Sequence, residues 1–276
     1  MPAERIGENL AYINWTVLVG LAAGGFGAVV LARLRTQATR GYLAFTAGCS
    51  TVFGLLAYLA DTALPPGGSA STISTDIAWD FPRRLALVAF VVLAAAYTVA
   101  LARGRRAVPI AIAGCVAGLG ALATGALGWS TGLAAAVPLA IQLAVLAAAT
   151  GGVFAAMILG HWYLVTPKLP EGPLVLFSRV LLGIVALQLV LFAIWVGTGT
   201  GGSGPFGALS GPWALFVWLR LLVGLGFPLV VSWAAIQTAR TRSMESATGL
   251  LYVNVGSIAA GTILAAGLYF GAGMLV

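Results

Sequence analysis

Eight long apolar runs, separated by short segments that hold prolines, glycines or charges, take up most of this sequence. Each run is long enough for a helix of about 20 residues that crosses a bilayer. Charged residues make up 8% of the chain and hydrophobic residues 61%, whereas a soluble domain has roughly 25% charged residues. The sequence also lacks the short alternating segments of a membrane β-barrel. We therefore predict an all-α, polytopic integral membrane protein with eight transmembrane helices.

Turn residues and charges set the predicted helix ends. The predicted helices cover residues 11–34, 42–64, 85–102, 108–127, 133–165, 173–196, 213–239 and 247–276. In the first helix, Gly20 and Gly24 form a small-residue face, which indicates close contact with another helix. Pro228, preceded by Gly224 and Gly226, is expected to kink the seventh helix.

The longest hydrophilic stretch connects the second and third runs, at residues 65–84. It combines Asp76 and Asp80 with Arg83 and Arg84, and aromatic residues stand between them. Charged and aromatic residues mixed in this way are typical of a segment that lies in the membrane interface. We predict a short amphipathic segment at the membrane surface here.

The basic residues divide unequally between the two sets of loops. One set holds Arg33, Arg35, Arg40, Arg103, Arg105, Arg106, Lys168, Arg240 and Arg242; the other holds Arg5, Arg83 and Arg84. The positive-inside rule places the first set in the cytoplasm, so both termini are expected outside it, in a cell inner (plasma) membrane. Topology thus accounts for the net charge of +7. Membrane lipids are expected partners, and nucleic acid is not.

A short internal similarity suggests a duplication. Residues 22–34 read AAGGFGAVVLARL and residues 149–161 read ATGGVFAAMILGH, in runs that cross the membrane in the same direction. An even number of helices allows a parallel repeat of four plus four. We predict a single transmembrane domain over residues 1–276, with possible halves at 1–130 and 131–276.

Ionisable side chains inside the apolar runs are the best guide to function, because placing them in a bilayer is costly. All 7 acids fall in loops or at helix ends, and the 1 histidine, His161, lies near the end of the fifth run. Arg179 lies at a similar depth in the sixth run, and Tyr163 and Lys168 lie between them. These four residues predict a site for a quinone headgroup or a lipid phosphate at the cytoplasmic interface. An aromatic belt with a snorkelling arginine is the structural alternative.

A second group of residues lies toward the opposite surface. Arg220 is embedded in the seventh run, with Trp218 near it in sequence, and Asp61 ends the second run at a similar depth. Asp61 and Arg220 are predicted to form a buried ion pair. The alternative is a path for an anionic substrate, lined by Arg220, Asp61 and Trp218.

Several chemistries are excluded by the sequence. One histidine cannot provide two haem ligands, and no Cys, His and carboxylate spacing predicts a metal site. Cys49 and Cys115 stand alone in apolar runs, which is typical of packing residues. No Walker A loop, HExxH motif or Ser/His/Asp arrangement is present. We predict no covalently bound cofactor, no metal and no catalytic centre.

Three functions remain open. The first is a cofactor-free membrane subunit of a larger respiratory complex, which binds quinone or lipid and associates with redox or other membrane subunits. The second is a transporter or permease for a small or anionic solute. The third is a structural or assembly subunit.

Overall fold

The apolar runs form eight long helices. The computed structural model describes residues 1–65, 73, 75–166, 169–200 and 204–276. The helices are α1 (Leu10–Arg35), α2 (Arg40–Thr62), α3 (Asp80–Ala102), α4 (Val108–Gly128), α5 (Leu133–Val165), α6 (Gly172–Thr198), α7 (Ala214–Arg240) and α8 (Met244–Ala272). All eight are long and apolar enough to span a membrane, and these described ranges contain no strand. The predicted all-α, multi-pass fold class is confirmed.

Helix α3 begins earlier than predicted, at Asp80 instead of residue 85. The Asp76 carboxylate accepts a hydrogen bond from the Ala78 amide at 2.9 Å, and the 3₁₀ turn Ile77–Trp79 then runs directly into α3. Asp80 adds a negative charge to the first turn, where the helix dipole favours it. Residues 77–84 of the predicted surface segment therefore form the 3₁₀ turn and the first turns of α3. Residues 66–72 and 74 lie outside the described residues.

Helices α1 and α5 form the centre of the bundle. Helix α5 contacts α1, α2, α4, α6 and α8, and α1 contacts α2, α4, α5 and α8. The most apolar segment of α5 is 67% buried, against 28–44% in the other seven helices. Helices α2, α3 and α4 follow one another at one side, and α6, α7 and α8 follow one another at the other. A four-plus-four duplication is compatible with this arrangement and stays a prediction.

Glycines bring α1 and α5 into backbone contact. A Cβ atom added to Gly24 would lie 1.8 Å from the Ala147 carbonyl oxygen, and one added to Gly151 would lie 2.0 Å from the Gly25 nitrogen. Helix α1 forms a π-turn at Gly20–Gly24, facing α5. The close contact predicted from the small-residue face of α1 is thus confirmed.

One end of the bundle carries most of the basic residues. Alternation of the helices places the end of α1, the start of α2, the end of α3 and the start of α4 together. We call this the basic end and define it by Arg33, Arg35, Arg40, Arg103, Arg105, Arg106, Arg240 and Arg242. The opposite end holds Asp61, at the end of α2, and the start of α3.

Candidate functional site

The fold separates His161 from Tyr163. Two positions along a helix differ by about 200° in direction, and His161 is exposed while Tyr163 is only 2% exposed. The Tyr163 hydroxyl donates a hydrogen bond to the Pro170 carbonyl at 2.5 Å. Tyr163 therefore binds the connection between α5 and α6, and its hydroxyl proton is already used in this hydrogen bond.

Arg179 lies on the exposed face of α6. In the part of the chain that the structure describes, neither Arg179 nor His161 has a side-chain hydrogen bond or ion pair. Lys168 lies outside the described residues. The structure thus does not gather the predicted headgroup donors into one pocket, and the predicted quinone or lipid site at these residues stays a prediction.

A cavity lies apart from His161, Tyr163 and Arg179, between four helices. An apolar groove of about 270 Å³ is lined by α1, α4, α5 and α6. Gly27 and Ala28 belong to its α1 wall, Cys115 to its α4 wall and Gly152 to its α5 wall, while Phe177 closes it on α6. Every side chain that lines it is apolar or a thiol. A hydrocarbon chain is the ligand that such a surface suits.

The groove exists because small residues stand where larger side chains would fill the space. Backbone contact between α1 and α5 requires glycine at positions 24 and 151, as described above. Gly27 lies about one turn beyond Gly24, and Gly152 directly follows Gly151; neither has an atom within 4 Å of an added Cβ. Helices α1 and α5 therefore touch at Gly24 and Gly151 and leave the groove open beside this contact.

A charged cluster lies at the end of the bundle opposite the basic end. The Asp61 carboxylate is 0% exposed and accepts hydrogen bonds from Arg83 Nε at 2.5 Å and Arg84 Nε at 3.0 Å. Trp15 Nε1 donates to the same carboxylate at 2.9 Å. The Arg83 guanidinium carbon lies 5.0 Å from the centre of the Trp129 ring, within the range of a cation–π contact.

The predicted pairing of Asp61 with Arg220 is therefore wrong. Helix α3 starts at Asp80, so Arg83 and Arg84 stand in its first turns, beside the end of α2, and reach Asp61 first. Trp218 is 43% exposed and its Nε1 donates to the Leu209 carbonyl at 3.3 Å. The structure does not bring Arg220, Asp61 and Trp218 together.

Arg220 is buried among neutral partners. Its side chain is 2% exposed, and Nη2 donates to Gln188 Oε1 at 2.7 Å. Pro228 has no N–H to offer the Gly224 carbonyl four residues earlier, and Arg220 Nη1 donates to that oxygen at 3.2 Å. No carboxylate among the described residues forms an ion pair with Arg220, and its Nε has no described partner.

Helix α7 contains a π-turn at Leu222–Gly226, just before Pro228; the kink predicted there stays a prediction. The Ser257 hydroxyl of α8 donates to the Val223 carbonyl in this turn. Gln188 Nε2 in turn donates to the Val145 carbonyl of α5 at 2.9 Å. A chain of hydrogen bonds therefore connects α7 through α6 to α5, and Arg220 supplies a donor that the α7 backbone lacks.

Removal of Gln188 Oε1, which accepts a hydrogen bond from Arg220, tests the role of these hydrogen bonds. We expect Gln188→Leu to lower the free energy of unfolding by about 1.5–3 kcal/mol, the usual value of a hydrogen bond to a charged group. Equilibrium unfolding of the purified protein in mixed micelles measures the change. Trp218→Phe removes an exposed hydrogen bond on α7, the helix that carries Arg220, and should have little effect. Equal stability of the two variants would show that the Arg220 network contributes nothing.

Within the described ranges, no group of three or more His, Cys, Asp or Glu side chains could hold a metal ion. The buried charged side chains in these ranges, Asp61, Arg83 and Arg220, are instead bonded to side chains of neighbouring helices. Sequence reasoning missed the apolar groove altogether, because the groove forms only where small residues of α1 and α5 face the larger side chains of α4 and α6.

No family model, no curated protein and no solved structure matches this chain.

Proposed function

We propose that this protein is a multi-pass subunit of a respiratory complex in the cell inner membrane, and that it holds a quinone or lipid in the apolar groove. In this proposal the basic end lies in the cytoplasm and both termini lie outside it, as the positive-inside rule requires. The partner subunits would be redox or other membrane proteins, and the chain itself would carry no catalytic centre.

The groove is the observation that carries the proposal. Lipids of the bilayer cover the convex surface of any membrane protein, whereas the groove is concave and has walls from α1, α4, α5 and α6. A hydrocarbon chain bound in the groove would contact protein on several sides. Since lipid tails are as apolar as the groove, close packing rather than the hydrophobic effect would favour the bound state.

The described residues that are predicted to bind the polar headgroup of the ligand lie outside the groove. His161, Tyr163 and Arg179 do not line the groove. The proposal therefore rests on the hydrocarbon part of the ligand. The isoprenoid tail of a quinone and the acyl chain of a lipid both suit the groove.

Filling the groove tests the proposal. We expect Gly27→Leu and Gly152→Leu each to lower retention of a bound quinone or lipid about ten-fold or more, because overpacking a filled site costs about 1–3 kcal/mol. Both positions are open, so the apo protein should fold normally. Mass spectrometry of the small molecules that co-purify in a gentle detergent measures the retention.

Gly183→Leu is the matched control. Gly183 is exposed on α6, has nothing within 4 Å of an added Cβ and does not line the groove. It adds the same side chain to the lipid-facing surface. The proposal fails if the two groove variants retain the same molecules, in the same amounts, as wild type and Gly183→Leu.

A further inference from the structure

We infer that the ligand of the groove carries a phosphate group and that Arg35 binds this phosphate at the basic end. The inference rests on the proposed function, since it concerns the same groove, and it names the chemical class of the ligand. That class is a phosphate attached to a long hydrocarbon chain, as in an anionic phospholipid or an isoprenyl phosphate.

Arg35 lies on the same face of α1 as the groove. Gly24, Gly27, Ala28 and Leu31 line the groove on α1, and Arg35 follows Leu31 by four residues. With 100° per residue, Arg35 lies about 40° from Leu31 and about 20° from Gly24 around the helix axis. The Cα–Cβ bonds of a helix tilt toward its N-terminus, so the stem of Arg35 leans toward the turn of Leu31.

The depth of Arg35 also suits a headgroup. It is the last residue of α1 and lies about 6 Å along the axis beyond Leu31, where the groove ends on this helix. Arg35 is exposed and, among the described residues, has no side-chain hydrogen bond or ion pair. Its guanidinium is therefore available at the level where the hydrocarbon chain would leave the groove.

The neighbouring loops add charge of the same sign. Arg105 and Arg106 stand just before α4, which supplies another wall of the groove. The Arg40 side chain lies against Gly104, so the start of α2 meets the loop before α4. Residues 33–40 and 102–107 contain no acid. The loops at this end of α1 and α4 therefore carry positive charge and no negative charge.

The nearest acid in sequence on the α6 wall is engaged elsewhere. Glu171 stands at the start of α6, and its carboxylate lies 3.8 Å from Arg242 Nη1. It therefore faces a cation other than Arg35. The positive charge of Arg35 and its neighbours is left to attract an anion.

Charge decides between the two ligands that the groove alone allows. A neutral quinone carbonyl would gain only an ordinary hydrogen bond from a guanidinium, whereas a phosphate matches its planar pair of donors and its charge. Basic residues at the surface of a membrane attract anionic headgroups. The alignment of an unpaired arginine with the groove therefore favours a phosphate.

The positive-inside rule alone would also place arginines here, and Arg33 separates the two explanations. Arg33 lies at the same end of α1 but about 200° around the helix from Arg35, away from the groove. Arg35→Gln and Arg33→Gln remove the same charge from the same end. Only a ligand in the groove would distinguish them.

The experiment uses the full chain reconstituted in phosphatidylcholine vesicles. A trace of photoactivatable phosphatidylglycerol, isoprenyl phosphate or isoprenoid quinone is added in separate samples, and cross-linked peptides from the groove are quantified by mass spectrometry. We expect Arg35→Gln to lower labelling by at least one phosphate probe about five-fold, from roughly 1 kcal/mol per interfacial arginine. Arg33→Gln should label as wild type does, and the quinone probe should not respond to Arg35→Gln.

The outcomes separate the two proposals. Loss of labelling by phosphatidylglycerol alone, or by isoprenyl phosphate alone, supports the inference and identifies the source of the phosphate. Equal labelling of Arg35→Gln and Arg33→Gln overturns the phosphate inference. In that case loss of all labelling in Gly27→Leu would still support the groove, whereas undiminished labelling of Gly27→Leu would overturn the proposed function as well.

Discussion

Replacement of Asp61 by alanine is expected to destabilise the protein by about 3 kcal/mol, the lower end of the cost of breaking a buried ion pair, because Arg83 Nη2 keeps a second carboxylate partner in Asp80 at 2.9 Å. Asp61 is fully buried and Arg83 is 1% exposed. Without the carboxylate, Arg83 Nε and Trp15 Nε1 would both lose their acceptor. Equilibrium unfolding in mixed micelles, followed by tryptophan fluorescence, measures the change. Trp15 and Trp129, two of the 8 tryptophans, contact the cluster.

Arg84→Gln is the control for this prediction. Arg84 shares the Asp61 carboxylate, but its side chain is 40% exposed. A pair that reaches solvent contributes about 0–1 kcal/mol, so this variant should unfold almost as wild type does. Comparable losses in Asp61→Ala and Arg84→Gln would contradict the claim that burial of the Arg83 pair matters.

Replacement of Gly24 or Gly151 by alanine is expected to separate α1 from α5. The added methyl group would lie 1.8 Å from the Ala147 carbonyl oxygen in the first variant and 2.0 Å from the Gly25 nitrogen in the second. Backbone atoms cannot move aside as a flexible side chain does, so we expect a loss of at least about 3 kcal/mol, at the upper end for overpacking. The yield of folded protein and its unfolding in mixed micelles measure the effect.

The same two helices supply the control for the glycine prediction. Gly27→Ala and Gly152→Ala lie one turn or less from the contact, and an added Cβ would meet nothing within 4 Å. These variants should be as stable as wild type or up to about 1 kcal/mol more stable, because alanine favours the helix more than glycine does. If Gly24→Ala tolerated its methyl group equally well, the contact between α1 and α5 would have to be looser than it is described above.

The number of helices could be predicted because each depends on local information. A run of about 20 apolar residues between polar segments has few alternatives in a bilayer. The start of α3 was placed wrongly because charged residues at 80–84 resemble a loop by composition. Asp76 and Asp80 nevertheless favour the start of a helix, and Asp61 on α2 compensates the two arginines that follow.

Prediction of the sites requires the relative positions and rotations of the helices. Depth along the sequence suggested Arg220 as the partner of Asp61, but direction around each helix places Arg83 there and gives Arg220 to Gln188. The separation of His161 from Tyr163 follows from helix geometry and could have been predicted from their spacing alone. The apolar groove could not, because it requires the relative positions of α1, α4, α5 and α6.

The central position of α5 also determines when the bundle can be completed. The chain is synthesised from its N-terminus, so α1 to α4 enter the membrane before α5 exists. Until then the glycine face of α1 has no backbone to pack against, because its partners Ala147 and Gly151 belong to α5. The first four helices can therefore form their contacts with one another, but α1 gains its closest contact only when α5 enters the membrane.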